Sequence, residues 1–511
     1  MRHLFLLIIV MLSSNYSVAQ TKKIPEKKTQ KGFVKTDFLS INMPETQILN
    51  EPNMGFSGIH YNIYLNENFY TGVGIYGSVT GKRGGFFTLG INAGFKKYLN
   101  EKLYIDTGFH FGGGGGAGAP DGGGAFILPH VNLGHDFKHF SLNTGWSYVN
   151  FFNEGLIKGN QLNVALEIPL NFNYSSYKNT ESTFSSDVLR TSSWNQKTKK
   201  TSFMLHFNNL DVTKANANAA QIIEGKTIRL AGFEFANYLS KNWFAFLKLD
   251  GAYSGIRAGY MDVLLGAGYH FSFNKNRTNI LTKLGIGAGG GGGVDSDGGF
   301  LLYPDISIEQ KIFNNVYISL NKGYLLTPSS IFTTSTYGVG LKYYVERNGT
   351  FSDEKKFSNG KFKGIEIVLK QDWYFNAKRM TNPTQDMHQI SLQVNLDLNK
   401  NLYVAGQTSF ANFGDAGAYA EGLIGFGVKT NNLLDKNTAF FTQILAGAAG
   451  GGNISTGEGL IIKPSIGLDY QINSTLSLRS ALGYVKAKGG DLSNPFINFG
   501  IKYYFSFLNM E

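Results

Sequence analysis

Three side chains in the first third of the chain have the types and spacing used in acid–base chemistry. His110 and His130 fall on one face of consecutive alternating segments, with Asp106 close by. An imidazole base oriented by a carboxylate is a minimal set for activating water or a hydroxyl. Two later stretches repeat this part of the chain; there Asp305 and Ser465 take the place of His130, and His110 has no histidine counterpart. Interior polar filler is therefore the stronger reading, and no catalytic residue is assigned. Asp295-Ser296-Asp297-Gly298 has the opening spacing of a calcium loop but no distal glutamate, and the other copies lack the acid pair. The glycine tracts lack the Lys-Ser/Thr that a phosphate-cradling loop needs. No metal and no cofactor is expected.

A second set is charged and recurs on one face. Lys96, His270 and Lys429 match across the copies, as do Glu167, Lys342 and Lys502. Asp106, Lys248, Asp250, Asp262, Glu366, Lys370 and Asp372 share that face. In a narrow barrel such charges must pair with one another. In a wide one they would line water and bias ion selectivity.

The elements that carry these residues are alternating strands. From Phe87 to Phe95 the odd positions read Phe, Leu, Ile, Ala, Phe, while Thr88, Gly90, Asn92, Gly94 and Lys96 are polar or small. Leu162 to Phe172 shows the same period of two. The strands fall into three units, each marked by a glycine tract that closes on a proline. The tracts start near Gly112, Gly289 and Gly450, and end on Pro129, Pro304 and Pro464. Each proline lies on the apolar face inside a strand, where it removes a ladder donor, so a bulge or frayed pairing is expected beside it. Short connections such as Leu65-Asn66-Glu67-Asn68 alternate with longer ones, and the glycine tract is the long connection between the fifth and sixth strands of its unit.

Composition agrees with strands: 64 Gly, 27 Tyr and 41 Phe in 511 residues, at a mean hydropathy of −0.14, leave no run long enough for a helical membrane span. Residues 1–19 have the layout of a secretory signal peptide, with Arg2, an apolar run from Leu4 to Leu12 and Ser17-Val18-Ala19 before Gln20. Cysteine is absent, so hydrogen bonding and packing must close the structure. Aromatic residues follow glycine near strand ends at Trp146, Tyr324 and Tyr484, at matching places in the three copies, and the last strand alternates Ile497, Phe499, Ile501, Tyr503 and Phe505. With this signal, this alternation and this aromatic-rich final strand, the chain resembles Gram-negative outer-membrane β-barrel proteins. That resemblance implies an all-β, antiparallel up-and-down transmembrane barrel in the outer membrane. Short turns would then face the periplasm and the glycine tracts the outside.

The expected organisation is a basic leader at 20–32, units at 33–172, 201–345 and 362–508, and linkers at 173–200 and 346–361. About 24 strands result, in three eight-stranded repeats. Long linkers favour three tandem barrels; one 24-stranded barrel is the alternative. A structural or surface-interaction role without catalysis is the leading reading. A porin-like passive channel and an outer-leaflet lipid-modifying enzyme or protease are the alternatives. The formal charge of +11 is concentrated in the leader and linkers, including Lys22, Lys27, Lys197, Lys200, Lys355 and Lys363. These segments read as flexible and solvated, and as a basic surface for cell-wall contact. Outer-membrane lipid is the other expected partner, and no nucleic-acid module is present.

Overall fold

In a computed structural model the chain is almost entirely antiparallel sheet; residues 23–45, 48–216, 221–381, 383–430 and 437–511 are described. The expected signal peptide at 1–19 and the first leader residues lie outside them.

Unit 1 is built from β2 (Gly32–Ile41), β3 (Met54–Tyr64), β4 (Phe69–Thr80), β5 (Phe87–Tyr98), β6 (Leu103–Gly115), β7 (Phe126–Asp136), β8 (Ser141–Phe151) and β9 (Lys158–Pro169). It closes because β9 returns to β2, with Phe33 opposite Pro169 and Leu39 opposite Asn163. Unit 2 runs through β12 (Lys199–Lys214), β13 (Thr227–Tyr238), β14 (Trp243–Ser254), β15 (Met261–Phe273), β16 (Thr278–Gly290), β17 (Phe300–Phe313), β18 (Val316–Leu326) and β19 (Thr333–Arg347). It closes between β12 and β19. Unit 3 has β20 (Asn359–Ala377), β21 (Gln385–Asp397), β22 (Leu402–Phe413), β23 (Ala420–Lys429), β24 (Thr438–Gly450), β25 (Leu460–Gln471), β26 (Leu476–Ala487) and β27 (Ser493–Met510), closed between β20 and β27. The fold is therefore three eight-stranded up-and-down barrels in one chain.

Short turns follow from one side chain. In Leu65-Asn66-Glu67-Asn68 the Asn66 Oδ1 accepts the N–H groups of Asn68 and Phe69 at 2.9 and 2.8 Å. Asn100, Asn399 and Asn473 repeat this side-chain cap, fixing hairpin register at the same end of the barrels. The prolines interrupt the ladder without shifting it. Ile127 faces Asn150 and His130 faces Ser147, with no pairing between them; the same gap flanks Pro304 and Pro464. A bulge does occur elsewhere, at the outer end of the third strand of every unit. The ladder also corrects one match: Asp305 faces Gly323 and Ser465 faces Gly483, whereas His130 faces Ser147. Tyr148, rather than Trp146, therefore occupies the place of Tyr324 and Tyr484.

The glycine tracts do more than turn a hairpin, because they hold the barrels against each other in a closed ring. β4 packs on β16, β14 on β24, and β22 on β6. At each seam one unit's tract meets the loop after the third strand of the next: Gly81–Phe86, Gly255–Tyr260 or Gly414–Tyr419. A methyl on Gly85 would lie 2.2 Å from the Gly291 nitrogen, one on Gly450 2.5 Å from the Gly259 nitrogen, and one on Gly113 2.4 Å from the Ala411 oxygen. Ser78 donates to the Gly298 carbonyl at 3.0 Å, and the Gly417 N–H to the Gly122 carbonyl at 3.1 Å. Between the barrels, outward-facing Phe87, Leu89, Ala288, Ile390 and Phe410 share one buried cluster. Elsewhere the outward face stays apolar and exposed, as at Leu162, Leu284, Phe426 and Leu482.

The linkers and the described part of the leader, 23–32, are ordered, contrary to the flexible reading. β1 (Lys28–Gln30) pairs with β10 (Phe172–Tyr174), and β11 (Thr183–Ser185) with the start of β20. A short helix α1 (Ser186–Arg190) follows, capped by Ser185. Phe184, Leu189, Trp194, Phe357, Phe362, Leu508 and Met510 form one core, and the Trp194 indole donates to the Pro25 carbonyl at 2.8 Å. Each segment supplies only a few scattered apolar groups, which is why no period marks it.

Gly85 carries φ +91° as well as the seam contact. Gly85→Val should force barrels 1 and 2 apart and cost about 1–3 kcal/mol, read as a lower temperature for loss of the compact SDS-gel form. Gly159→Val, at a strand glycine with nothing within 4 Å, should leave that temperature unchanged. Equal effects would show that the seam is not under steric control.

Candidate functional site

The histidines and interior charges read from the sequence point into the three bores, where strand parity places every second side chain. In unit 1, Lys96 pairs with Glu167, which also accepts from Tyr104 at 3.2 Å and Asn143 at 3.0 Å. Asp106 lies 3.3 Å from His130, 3.8 Å from Lys35 and 2.8 Å from the Tyr70 hydroxyl. His110 contacts the Asn92 amide at 2.6 Å, and through it His60, which faces Asp37 at 3.3 Å. Asp106 thus meets His130 but not His110. The space among these groups is a cavity of about 20 Å³, and Phe56, Phe86, Phe126 and Phe151 close the bore above it.

Unit 2 has a different charge order on the same frame. Lys283 bonds Glu234 at 2.7 Å; Lys342 bonds Glu309 at 2.8 Å; Lys248 contacts Asp250 and lies 4.0 Å from Asp262. His270 meets the Tyr238 hydroxyl at 2.5 Å. The outer end of the bore is apolar, with Leu230, Ala252, Tyr260, Leu301 and Phe332 buried.

In unit 3, Glu366 lies 2.9 Å from Lys429, 3.3 Å from Lys502 and 3.8 Å from Arg479. Asp469 takes a two-pronged contact from Arg479, both arms 2.7 Å, and one from Lys502 at 2.7 Å. Asp372 holds Lys463 at 2.9 Å and Lys370 at 3.9 Å. Tyr177, carried by the linker from unit 1, enters the mouth of this barrel; its hydroxyl lies 2.6 Å from Asp397 and 3.0 Å from Glu366.

All thirteen interior charges read from the sequence are thus buried inside a bore. Lys35, Asp37, His60, Glu234, Lys283, Glu309, Glu421, Lys463, Asp469 and Arg479 escaped that reading. Each sits on the inward parity of its strand, which is the signal that would have found them. The inward face is also bulkier than alternation suggested, because Tyr70, Tyr76, Tyr104 and Tyr403 point inward. Among the described residues no group of three or more His, Cys, Asp or Glu side chains could hold a metal ion. Asp295 serves a turn: it accepts from Asn216 at 2.7 Å and from the Asp297 N–H at 3.1 Å.

A buried carboxyl lies outside the strands, at the seam between units 1 and 3. Asp121 accepts the Gly116 N–H at 2.8 Å and abuts Gly417. Burial pushes its carboxyl from an ordinary 3.8 up to about 7, against the pull of the Gly116 N–H and Arg83. The unfolded chain ionises near 4 while the folded seam keeps its proton, so stability falls as pH rises from about 4 to 7. Asp121→Asn should therefore raise the unfolding temperature at pH 8 relative to the parent and leave it unchanged at pH 4; an equal shift at both would remove this role.

Glu366 offers a sharper test of the bores. Glu366→Gln strips three cations of their shared partner and should cost about 3–5 kcal/mol in urea unfolding from detergent. Lys197→Ala, which breaks the exposed pair with Asp353, should be nearly neutral. Equal losses would mean that bore pairing does not dominate stability.

No protein-family model matches the chain, and no curated protein is similar to it. Solved structures that align with it include Pseudomonas aeruginosa OccK11 (9% identity, 94% of this chain and 96% of that one, TM-score 0.22). A variant of the ferric enterobactin receptor of Pseudomonas aeruginosa, in complex with enterobactin, aligns at 10% identity over 93% and 81%, TM-score 0.28. The Pseudomonas aeruginosa outer membrane protein opdK aligns at 9% over 94% and 99%, TM-score 0.22. At such scores no arrangement or activity carries over. The antiparallel up-and-down barrels with an apolar, exposed outward belt have the architecture of strands that cross a lipid bilayer.

Proposed function

We propose that the protein is a non-catalytic outer-membrane scaffold: three closed barrels fused at their outer ends, with an ordered basic hub on the periplasmic side. The observation that carries this reading is the filling of every bore by paired side chains. An eight-stranded barrel has room for side chains and little more. The seams leave no open axis either, since Phe87, Leu89, Ile390 and Phe410 fill the space between units. Catalysis at His110, His130 and Asp106 lacks a route for substrate, because all three are buried beneath aromatic rings.

The hub supplies the interaction surface. Lys23, Lys28, Lys31, Lys178 and Lys356 line its solvent face, while Lys197, Lys355 and Lys361 pair with Asp353, Glu346 and Glu181. The first five lysines suit an anionic cell-wall polymer.

A porin-like passive channel is the second reading, favoured by the polar lining of unit 3. From Lys429 and Asp397 through Gln393 and Gln443 to Asp372 and Glu421, its bore carries hydrogen-bonding groups, with Tyr177 at the mouth. Planar-bilayer recording of the full chain separates the two. Silence at all voltages is expected, and large stable conductance steps would replace the scaffold by the channel. Steps seen only after Tyr177→Ala would also replace it, by a plugged channel.

A further inference from the structure

The three seams are built alike, and the one between units 2 and 3 is open. Backbone hydrogen bonds align the units: Phe151, Thr327 and Ala487 donate to the carbonyls of Ile157, Phe332 and Leu492. The next residues, Phe152, Pro328 and Lys488, are therefore equivalent. The bulge at the end of each third strand likewise equates Thr80, Ser254 and Phe413. At the seam between units 3 and 1, Phe413 meets Phe152 with ring centroids 6.3 Å apart. At the seam between units 2 and 3 the same two places hold Ser254 and Lys488. A cavity of about 350 Å³ results, lined by Tyr253, Ser254, Gly457, Glu458, Leu460 and Lys488 among others.

Its chemistry is paired but unspent. Ser254 donates to one oxygen of Glu458 at 2.7 Å, leaving the other oxygen open. Lys488 is exposed and its ammonium has no partner among the described residues. The cavity lies at the outer ends of the strands, where head groups sit, and outward-facing Leu460 and Ile462 lead from it into the apolar belt. A ligand that fits must bring an anion for Lys488, a cationic donor for Glu458, and an apolar tail.

We propose that this seam is a lipid site for a phosphoethanolamine head group: the phosphodiester on Lys488 and the Ser254–Tyr253 edge, the primary ammonium on Glu458, and the acyl chains along Leu460 and Ile462. The volume is of the size of small-ligand pockets. A phosphate alone would leave Glu458 facing like charge, and a quaternary ammonium could not donate to it.

Native mass spectrometry of the full chain in detergent tests this with phosphatidylethanolamine, phosphatidylglycerol and phosphatidylcholine of identical chains, and with free phosphoethanolamine. Phosphatidylethanolamine should bind about tenfold more tightly than the other two lipids. Lys488→Ala should weaken it by about tenfold. Glu458→Gln should erase the preference over phosphatidylglycerol. Ser254→Phe with Lys488→Phe, which copies the closed seam, should abolish the site. Equal binding of all three lipids would overturn the proposal, as would unchanged binding to Lys488→Ala. Free phosphoethanolamine binding as tightly as the lipid would assign the cavity to a soluble ligand and overturn the lipid site.

Discussion

Backbone-to-backbone contact between barrels is the constraint on which the rest depends. Two transmembrane barrels in lipid gain little from burying apolar side chains against each other, since lipid tails are equally apolar. Close van der Waals approach and hydrogen bonds between backbones are what remain. Gly85 against Gly291, Gly259 against Gly450, and Gly113 against Ala411 provide that approach at all three seams. The ring closes because each unit offers a tract to one neighbour and a third-strand loop to the other. Such a head-to-tail contact forms a closed ring when its rotation matches the number of units. Here the linkers join the units covalently, so closure does not depend on concentration.

Each bore must solve its own charge problem. The level held by Lys96 and Glu167 in unit 1 is held by His270 and Lys342 in unit 2, and by Lys429 and Lys502 in unit 3. Two cations at one level would be costly if buried unpaired. Unit 3 answers with Glu366, Asp397 and Asp469 around them; unit 2 answers with Glu309 beside Lys342. In unit 1 the place facing Lys96 from the first strand holds Phe33, whose ring lies 4.3 Å from the Lys96 ammonium. The frame is shared while the charges are reassigned, so the charge pattern belongs to each barrel as a whole rather than to any position.

Strand identity was legible because a period of two survives wherever one face meets lipid, as from Phe87 to Lys97. The short turns were legible through Asn66 and Asn100. The choice of three barrels over one rested on the length of 173–200 and 346–361, and β9 to β2 pairing shows why length mattered: each unit returns to its own first strand. What escaped was contact between distant segments. Trp194 meeting Pro25, and Tyr177 entering the third barrel from the first linker, leave no periodic trace. Trp146 looked equivalent to Tyr324 because both follow glycine, but equivalence is set by the ladder through His130 and Ser147. The glycine tracts announced repetition and an outer rim; their packing partners, the loops at Gly81, Gly255 and Gly414, lie too far away in sequence to be linked by pattern.

Covalent fusion also frees each seam to differ. In a homotrimer one substitution changes all three interfaces at once, so a polar opening at one seam would open every seam. In a single chain, Ser254 and Lys488 can replace an aromatic pair while Phe413 and Phe152 keep theirs. The same freedom lets one linker place a tyrosine in one barrel only, and lets one bore concentrate histidines while another concentrates lysines and an arginine. Repetition therefore maintains the closed ring, and divergence between units is where specific recognition can arise without loosening the glycine contacts that hold the ring together.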